Sequence, residues 1–385
     1  MATPDSLRPP FRADVVGSFL RPEALKQARE ALLGTQSADQ NLGPHDNPEL
    51  RAIEDGCIRE VIAMQERAGL KSVTDGEFRR RSWWLELILG WEGFAANRTA
   101  NSEVTWRNQA GAQQGFSRLW LTGRIGWRPS AVVRAFEFVQ ANSRAIPKVT
   151  MPSPNQVHFF LRGDDGIRNS SVYTDVDAFW SDLIAAYRRE ISALIAAGAR
   201  YIQLDDTSIV FLCDPAQRKV MAGWGRTPEA LLSEYAERIN QVIAGFPADV
   251  TFTLHQCRGN REGNWVAEGG YDAVAEVLFN QIKVQGFFLE YDSPRAGSFA
   301  PLRFLPKGKT AVLGLVSTKV PALESSDDLK RRIDEAARVA PLEQLALSPQ
   351  CGFASSIKGN PLTEQDQMAK LMRVVEVARA VWSDA

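Results

Sequence analysis

Two of the four cysteines and one of the three histidines stand where they can share a single metal ion. The segments are Thr253-Leu254-His255-Gln256-Cys257-Arg258, Phe287-Phe288-Leu289-Glu290-Tyr291 and Leu347-Ser348-Pro349-Gln350-Cys351-Gly352. In each, a side chain able to bind metal comes at or near the end of a short apolar run. Side chains alternate along a strand with period two, so His255 and Cys257 face the same way. Two thiolates, an imidazole and a carboxylate suit zinc, which takes N and S ligands in a tetrahedron, whereas magnesium and calcium want oxygen. A zinc with one displaceable ligand can accept a substrate thiol, which points to chemistry on sulfur. The expected ligands are His255, Cys257, Glu290 and Cys351; Glu290 could instead support the metal from behind or contact the substrate. Cys57 and Cys213 read as small buried hydrophobes.

Ligands so far apart in sequence need a scaffold that brings strand ends together. Eight β-rich runs can be read: Asp14–Ser18, Ser72–Glu77, Lys148–Met151, Tyr201–Asp205, Val250–Cys257, Gly286–Tyr291, Thr310–Val316 and Leu345–Cys351. Amphipathic stretches separate them. In Asp177–Ala197, for example, Phe179, Leu183, Ile184, Tyr187, Ile191, Leu194 and Ile195 recur at helical spacing. Thr227-Pro228-Glu229 reads as a helix start, and Leu329–Val339 and Glu364–Trp382 as further helices. Such alternation implies a parallel sheet, and eight repeats imply a closed (β/α)8 TIM barrel whose catalytic residues lie at the C-terminal strand ends. The alternative, a doubly wound open sheet, lacks a G-x-G-x-x-G after the first run. The expected organisation is one domain over residues 1–385, with an insert at about 78–145 between strands two and three. The insert holds Trp83, Trp84, Trp91, Trp106, Trp120 and Trp127, and Ser102–Gly126 reads as a β-hairpin. These tryptophans either shape a substrate pocket or fill the insert's own core.

Composition narrows the partners. Of 385 residues, 44% are hydrophobic, enough for a large core. A formal net charge of −1 offers no basic field for nucleic acid. No apolar run approaches the ~20 residues that span a bilayer. The start, Met1-Ala2-Thr3-Pro4-Asp5, lacks the basic and apolar regions of an export signal, so a cytoplasmic protein without membrane or nucleic-acid partners is expected. Four scattered cysteines do not form a disulfide framework. Oligomeric state is left open.

Other run ends are rich in carboxylates: Asp75-Gly76-Glu77 and Asp205-Asp206. Clustered carboxylates in a barrel mouth are costly unless compensated. Glu77 and Asp205 therefore read as inward-facing groups that hold a substrate ammonium or support the metal. Asp75 and Asp206 can equally cap the helices that follow.

Taken together, VGSFLRP, VTDGEFRR, YIQLDD, LHQCRGN, FFLEYD and LSPQCGF resemble the catalytic C-terminal barrel of cobalamin-independent methionine synthase, in particular its short standalone branch. The resemblance runs from about Phe11 to Trp382. It implies zinc on His255, Cys257, Glu290 and Cys351. It implies that the backbone at Gly17 and the Ser18 side chain hold the carboxylate of an amino-acid substrate, and that Glu77 and Asp205 bind its ammonium group. It further implies that homocysteine, or a similar thiol, is bound as a zinc thiolate and takes a methyl group from a methylated folate or related donor, giving methionine or a thioether. The sequence departs from the family after strand seven, where Val316-Ser317-Thr318-Lys319-Val320-Pro321 lacks the proton-donating histidine. A folate-stacking tryptophan is likewise not evident at its strand-three position. His158, in the loop after strand three, is the candidate replacement for the proton donor, and with Asp205 it makes up the expected catalytic residues. Two other readings stand beside this one. A zinc thiol-alkyltransferase would join a thiol such as coenzyme M to an epoxide, with Arg79–Arg81 or Arg258 on the sulfonate. A closed structural zinc in a binding protein would need no pocket.

Overall fold

The computed structural model describes residues 8–34, 44–98, 105–108, 114–115 and 117–385. The strands are β1 (Ser72–Val73), the insert strands β2 (Glu92–Arg98), β3 (Thr105–Trp106), β4 (Gln114–Gly115) and β5 (Ser117–Gly126), then β6 (Ile146–Pro147), β7 (Val149–Pro152), β8 (Tyr201–Asp206), β9 (Thr251–Gln256), β10 (Gly286–Glu290), β11 (Thr310–Val316) and β12 (Leu345–Pro349). From β7 to β12 each strand pairs in parallel with the next in sequence, as a (β/α)8 barrel requires. β1 pairs in parallel with β6, directly before β7.

The first two expected strands are reduced. Residues 14–18 form no regular strand and join the ring by two parallel bridges, Ala13 to Leu347 on β12 and Ser18 to Gly76. Leu347 donates its N–H to Arg12 and accepts from Asp14, while Phe19 donates to the Gly76 carbonyl at 3.1 Å. Two local features explain the loss of ladder. Gly17 has φ +139°, outside the range of ordinary side chains, and a Cβ there would lie 2.7 Å from Thr150 Cγ2. Beyond β1, a side chain takes over the pairing: Gln65 accepts from Thr74 N and donates to Thr74 O, both at 2.9 Å.

Helices cover the outside. Val176–Ala196 is capped by Asp175, Pro228–Ile243 by Thr227, Ser326–Ala337 by Ser325, and Glu364–Val381 by a reciprocal Thr363/Asp366 capping box. Their apolar faces pack on Phe287, Leu289, Leu313 and Leu347 in the main core. Inside the ring, Val16, Phe288, Val312 and Ala346 form a separate small cluster. Beside it Lys148 Nζ lies 3.9 Å from the Phe288 ring centroid and 3.3 Å from Asp14 Oδ1, an ion pair with no exposure. Among the described residues no helix is long and apolar enough to cross a membrane.

The insert's hairpin starts earlier than its sequence suggests. β2 and β5 pair antiparallel from Glu92 to Gly126, and the β3/β4 pair lies beyond them; 99–104, 109–113 and 116 lie outside the described residues. Its tryptophans split between two roles. Trp91 packs edge-on against Tyr187, and Trp127 Nε1 donates to Glu190 at 2.8 Å, which ties the insert to helix Val176–Ala196. Trp83, Trp84 and Trp106 instead face the main cavity.

Candidate metal centre and substrate cavity

β9 ends at Gln256, so His255 projects from the strand and Cys257 from the first position beyond it. Pro349 ends β12, and Cys351 follows in the loop. The ligand atoms of His255, Cys257 and Cys351 all lie within 4.8 Å of one another, and all three residues are buried. The two sulfurs are 3.4 Å apart. The Cys257 thiol is pushed well above its usual value by the hydrogen bond with Cys351 and by burial, a cost that a bound cation would remove.

His255 Nδ1 lies 3.0 Å from Asp205 Oδ1, the last but one residue of β8. Its Nε2 is buried with no hydrogen-bond partner. An N–H on Nδ1 satisfied by a carboxylate leaves the Nε2 lone pair free to bind metal. Burial works to lower the His255 pKa, but Asp205 outweighs it and raises the value; a metal at Nε2 would take the place of the second proton. The donor set of one imidazole nitrogen and two thiols, with an orphaned nitrogen among them, fits zinc.

Glu290 ends β10 close by but is not one of the three gathered ligands. Its Oε2 accepts from Arg258 N at 2.8 Å and its Oε1 from Lys319 Nζ at 3.3 Å. Burial would raise this carboxyl, but Lys319 and then Arg258 hold it below the ordinary range.

His255, Cys257 and Cys351 line a cavity of about 380 Å³ together with Ser18, Glu77 and Asp205. Asp75 accepts from Glu77 N at 2.8 Å, and Glu77 takes φ +61°. This turn carries the Glu77 side chain into the mouth at a backbone cost of order 1–3 kcal/mol. Thr150 donates to Glu77 Oε1 at 3.0 Å, Arg80 stands 3.4 Å from the same oxygen, and buried Oε2 has no hydrogen-bond partner. Burial pushes the Glu77 carboxyl up to about 7 against the pull of Arg80 and Arg21. Gly352, next to Cys351, lies so close to Ser18 that a Cβ there would overlap the Ser18 hydroxyl. Gly17 lies directly behind Ser18, its carbonyl accepting from Thr74 Oγ1 at 2.5 Å. Asp206 serves its own loop instead, accepting from Ile209 N at 2.9 Å and from Ser153 and Ser208.

His158 is the expected site residue that the structure does not bring to the cavity. It sits unexposed in helix Pro154–Phe160, with Nδ1 2.9 Å from Tyr235 Oη and Nε2 3.1 Å from Asp164. Its ring stacks on Trp180 at 5.0 Å. Both nitrogens are occupied inside the helical layer, so His158 cannot deliver a proton to a bound substrate from this position. Reading the sequence alone missed Thr150, Lys319 and Phe160 and the pairing of Arg80 with Glu77; of the two roles it left open for Trp83 and Trp84, the cavity wall is the one the structure shows. Arg80 is legible as part of VTDGEFRR, and Lys319 as a cation in the strand-seven stretch without a histidine.

Three comparisons bear on this site. The sequence model described as "Cobalamin-independent synthase, Catalytic domain" matches residues 133–380. A Bacillus subtilis (strain 168) relative, the uncharacterized protein YxjG, is 43% identical over 97% of this chain and 96% of its own length. A methionine synthase of Pyrococcus abyssi is 24% identical over 95% of this chain and 93% of its own. Among solved structures, a putative vitamin-B12 independent methionine synthase from Listeria monocytogenes superposes with TM-score 0.72 at 33% identity, covering 97% of this chain and 99% of that one. A B12-independent methionine synthase from Shewanella sp. W3-18-1, in complex with selenomethionine, shares the fold at TM-score 0.67 and 16% identity, covering 96% and 97%.

Proposed function

This chain belongs to the cobalamin-independent synthase family of methionine-synthase-like methyltransferases, and from that premise we propose that it methylates the thiol of homocysteine, or of a close amino-acid analogue, held as a zinc thiolate. The observation that carries the reading is the orphaned Nε2 of His255 beside Cys257 and Cys351, in the same cavity as two carboxylates. Zinc bound there would supply a Lewis acid that lowers a thiol's pKa and makes the nucleophile available at neutral pH.

The protein's own groups position the rest. Asp205 fixes the His255 tautomer. Glu77 Oε2, buried without a hydrogen bond and with Arg21 4.0 Å away, offers an ionic hydrogen bond to the substrate ammonium. Asp205 would share that role, and the Gly17-Ser18 turn would take the substrate carboxylate. Glu290 is the fourth protein ligand in this proposal. The wall of Trp83, Trp84 and Phe160, with Trp84 and Phe160 centroids 4.2 Å apart and their rings tilted by 32°, gives the methyl donor an apolar aromatic surface and excludes water from the sulfur. A methylated folate has a pyrimidine and an aminobenzoyl ring that can pack on such a surface. The proposed partners are thus two small molecules, an amino-acid thiol and a methyl donor.

A sulfonate thiol is less well served. Arg79 is paired with Asp55 and Glu54, Arg80 with Glu77, Arg258 is taken by the Gly269 carbonyl and Tyr271, and Arg81, which lines the cavity, is not free either. The test is to load the protein with zinc and count sulfur neighbours by X-ray absorption. About two are expected at rest and about three with homocysteine, with no rise on adding coenzyme M. Failure to hold zinc, or an unchanged count with homocysteine, would overturn the proposal; a rise with coenzyme M alone would favour the epoxide-type reaction.

A further inference from the structure

Lys319 is a buried cation that none of the roles above employs. It follows β11 in a loop fixed at several points. Thr318 Oγ1 donates to Gln350 Oε1 at 2.5 Å, and Thr318 O accepts from Asn360 Nδ2 at 2.7 Å. Ser317 Oγ donates to Asp292 Oδ2 at 2.7 Å. Gln350 directly precedes Cys351, so the loop that carries Lys319 and the loop that carries a thiol ligand are pinned to each other. Only 6% of Lys319 is exposed, and its Nζ stands 3.3 Å from Glu290 Oε1. The other cation near that oxygen, Arg295, is 4.0 Å away.

The charges give this pair a purpose. Two thiolates and a carboxylate leave a divalent site net negative. If a substrate thiol were to replace the carboxylate on the metal and release its proton to solvent, that charge would be kept, and a fully buried carboxylate would be set free with only the Arg258 N–H at 2.8 Å and Arg295 at 4.0 Å to hold it besides Lys319. An unpaired buried carboxylate is costly enough to oppose the exchange. An ammonium already within reach removes the cost.

We propose that Lys319 is a positioning residue for ligand exchange, holding the Glu290 carboxylate and so making Glu290 the ligand that yields to an incoming thiol. This rests on the zinc-thiolate reading above. Lys319 competes with the metal for Glu290, lowering resting zinc affinity and raising affinity for the thiol.

The experiment compares wild type with Lys319→Met and Lys319→Gln, the second keeping a hydrogen-bond donor without the charge and serving if the first does not fold. Zinc affinity is measured by competition with a chelator, and sulfur neighbours are counted by X-ray absorption during homocysteine titration. Both variants should hold zinc roughly tenfold more tightly and need roughly tenfold more homocysteine to gain the third sulfur. Lys319→Arg should restore most of the wild-type behaviour. In a Glu290→Gln background the Lys319 substitutions should have no further effect. Zinc and thiol binding like wild type, weaker zinc binding, or an effect that persists with Glu290→Gln would each overturn the proposal. Failure of the wild-type protein itself to bind zinc or gain a sulfur would instead overturn the parent reading, and this inference with it.

Discussion

At the scale of single residues, His255 has its tautomer set by a neighbour on another strand, and that contact makes a sharp expectation. Asp205→Asn should weaken zinc binding about 10–100-fold while the sulfur count stays the same. Cys257→Ser or Cys351→Ser should remove a sulfur and abolish or severely weaken zinc binding. Glu77 supplies a pH test. Its carboxyl is raised to about 7, so below that pH it is mostly protonated and cannot pair with an ammonium. Affinity for methionine, which has no thiol to confuse the titration, should therefore rise between about pH 6 and 8. With Glu77→Gln, calorimetry should show a flat and weaker profile over that window; an unchanged slope would assign the titration to another group. That His255, Cys257 and Cys351 come together was legible because their types and strand-end spacing are unusual together. Lys319 and Thr150 were not, because each acquires meaning only from a carboxylate 29 or 73 residues away.

At the scale of elements, β8 to β12 were legible within one or two residues, since apolar runs bounded by polar turns leave little choice of register. The first two runs were legible as positions but not as strands. Gly17 bends the first, and the Gln65 side chain replaces a neighbouring strand at the second. Side-chain mimicry of a ladder leaves no periodic trace in sequence. Gly17→Ala would force a Cβ against Thr150 and hold alanine at φ +139°. We expect a loss of about 1–3 kcal/mol in urea unfolding of the metal-free protein, together with weaker amino-acid binding. A variant as stable as wild type would show that the turn relaxes freely.

At the scale of the whole molecule, strand–helix alternation was enough to indicate the barrel, whereas the insert's purpose was not readable. Tryptophans that fill a core and tryptophans that line a cavity look alike in sequence; only contacts such as Trp91 on Tyr187 separate them. His158 misled for a related reason: a histidine after strand three could face the mouth or the helical layer, and Tyr235 and Asp164 hold it in the latter. His158→Ala should destabilise the fold by about 2–4 kcal/mol, through lost packing and stranded polar partners, yet leave zinc and homocysteine affinities of the folded protein unchanged. Thermal melts beside binding titrations would check both halves.

The bridge between the two ends of the barrel also sets a timetable for synthesis. Arg12 donates to the Leu345 carbonyl, a contact across 333 residues. The Arg12 segment is thus made 333 residues before the strand it bonds to. At ~5–20 residues per second the wait is on the order of tens of seconds. Through it, β12's eventual neighbour stays open on the ribosome, and a nascent chain stalled before β12 leaves the tunnel carries His255, Cys257 and Glu290 but neither Cys351 nor the strand that leads to it. Protection from protease during translation should therefore arrive in one step, once β12 has emerged, rather than strand by strand.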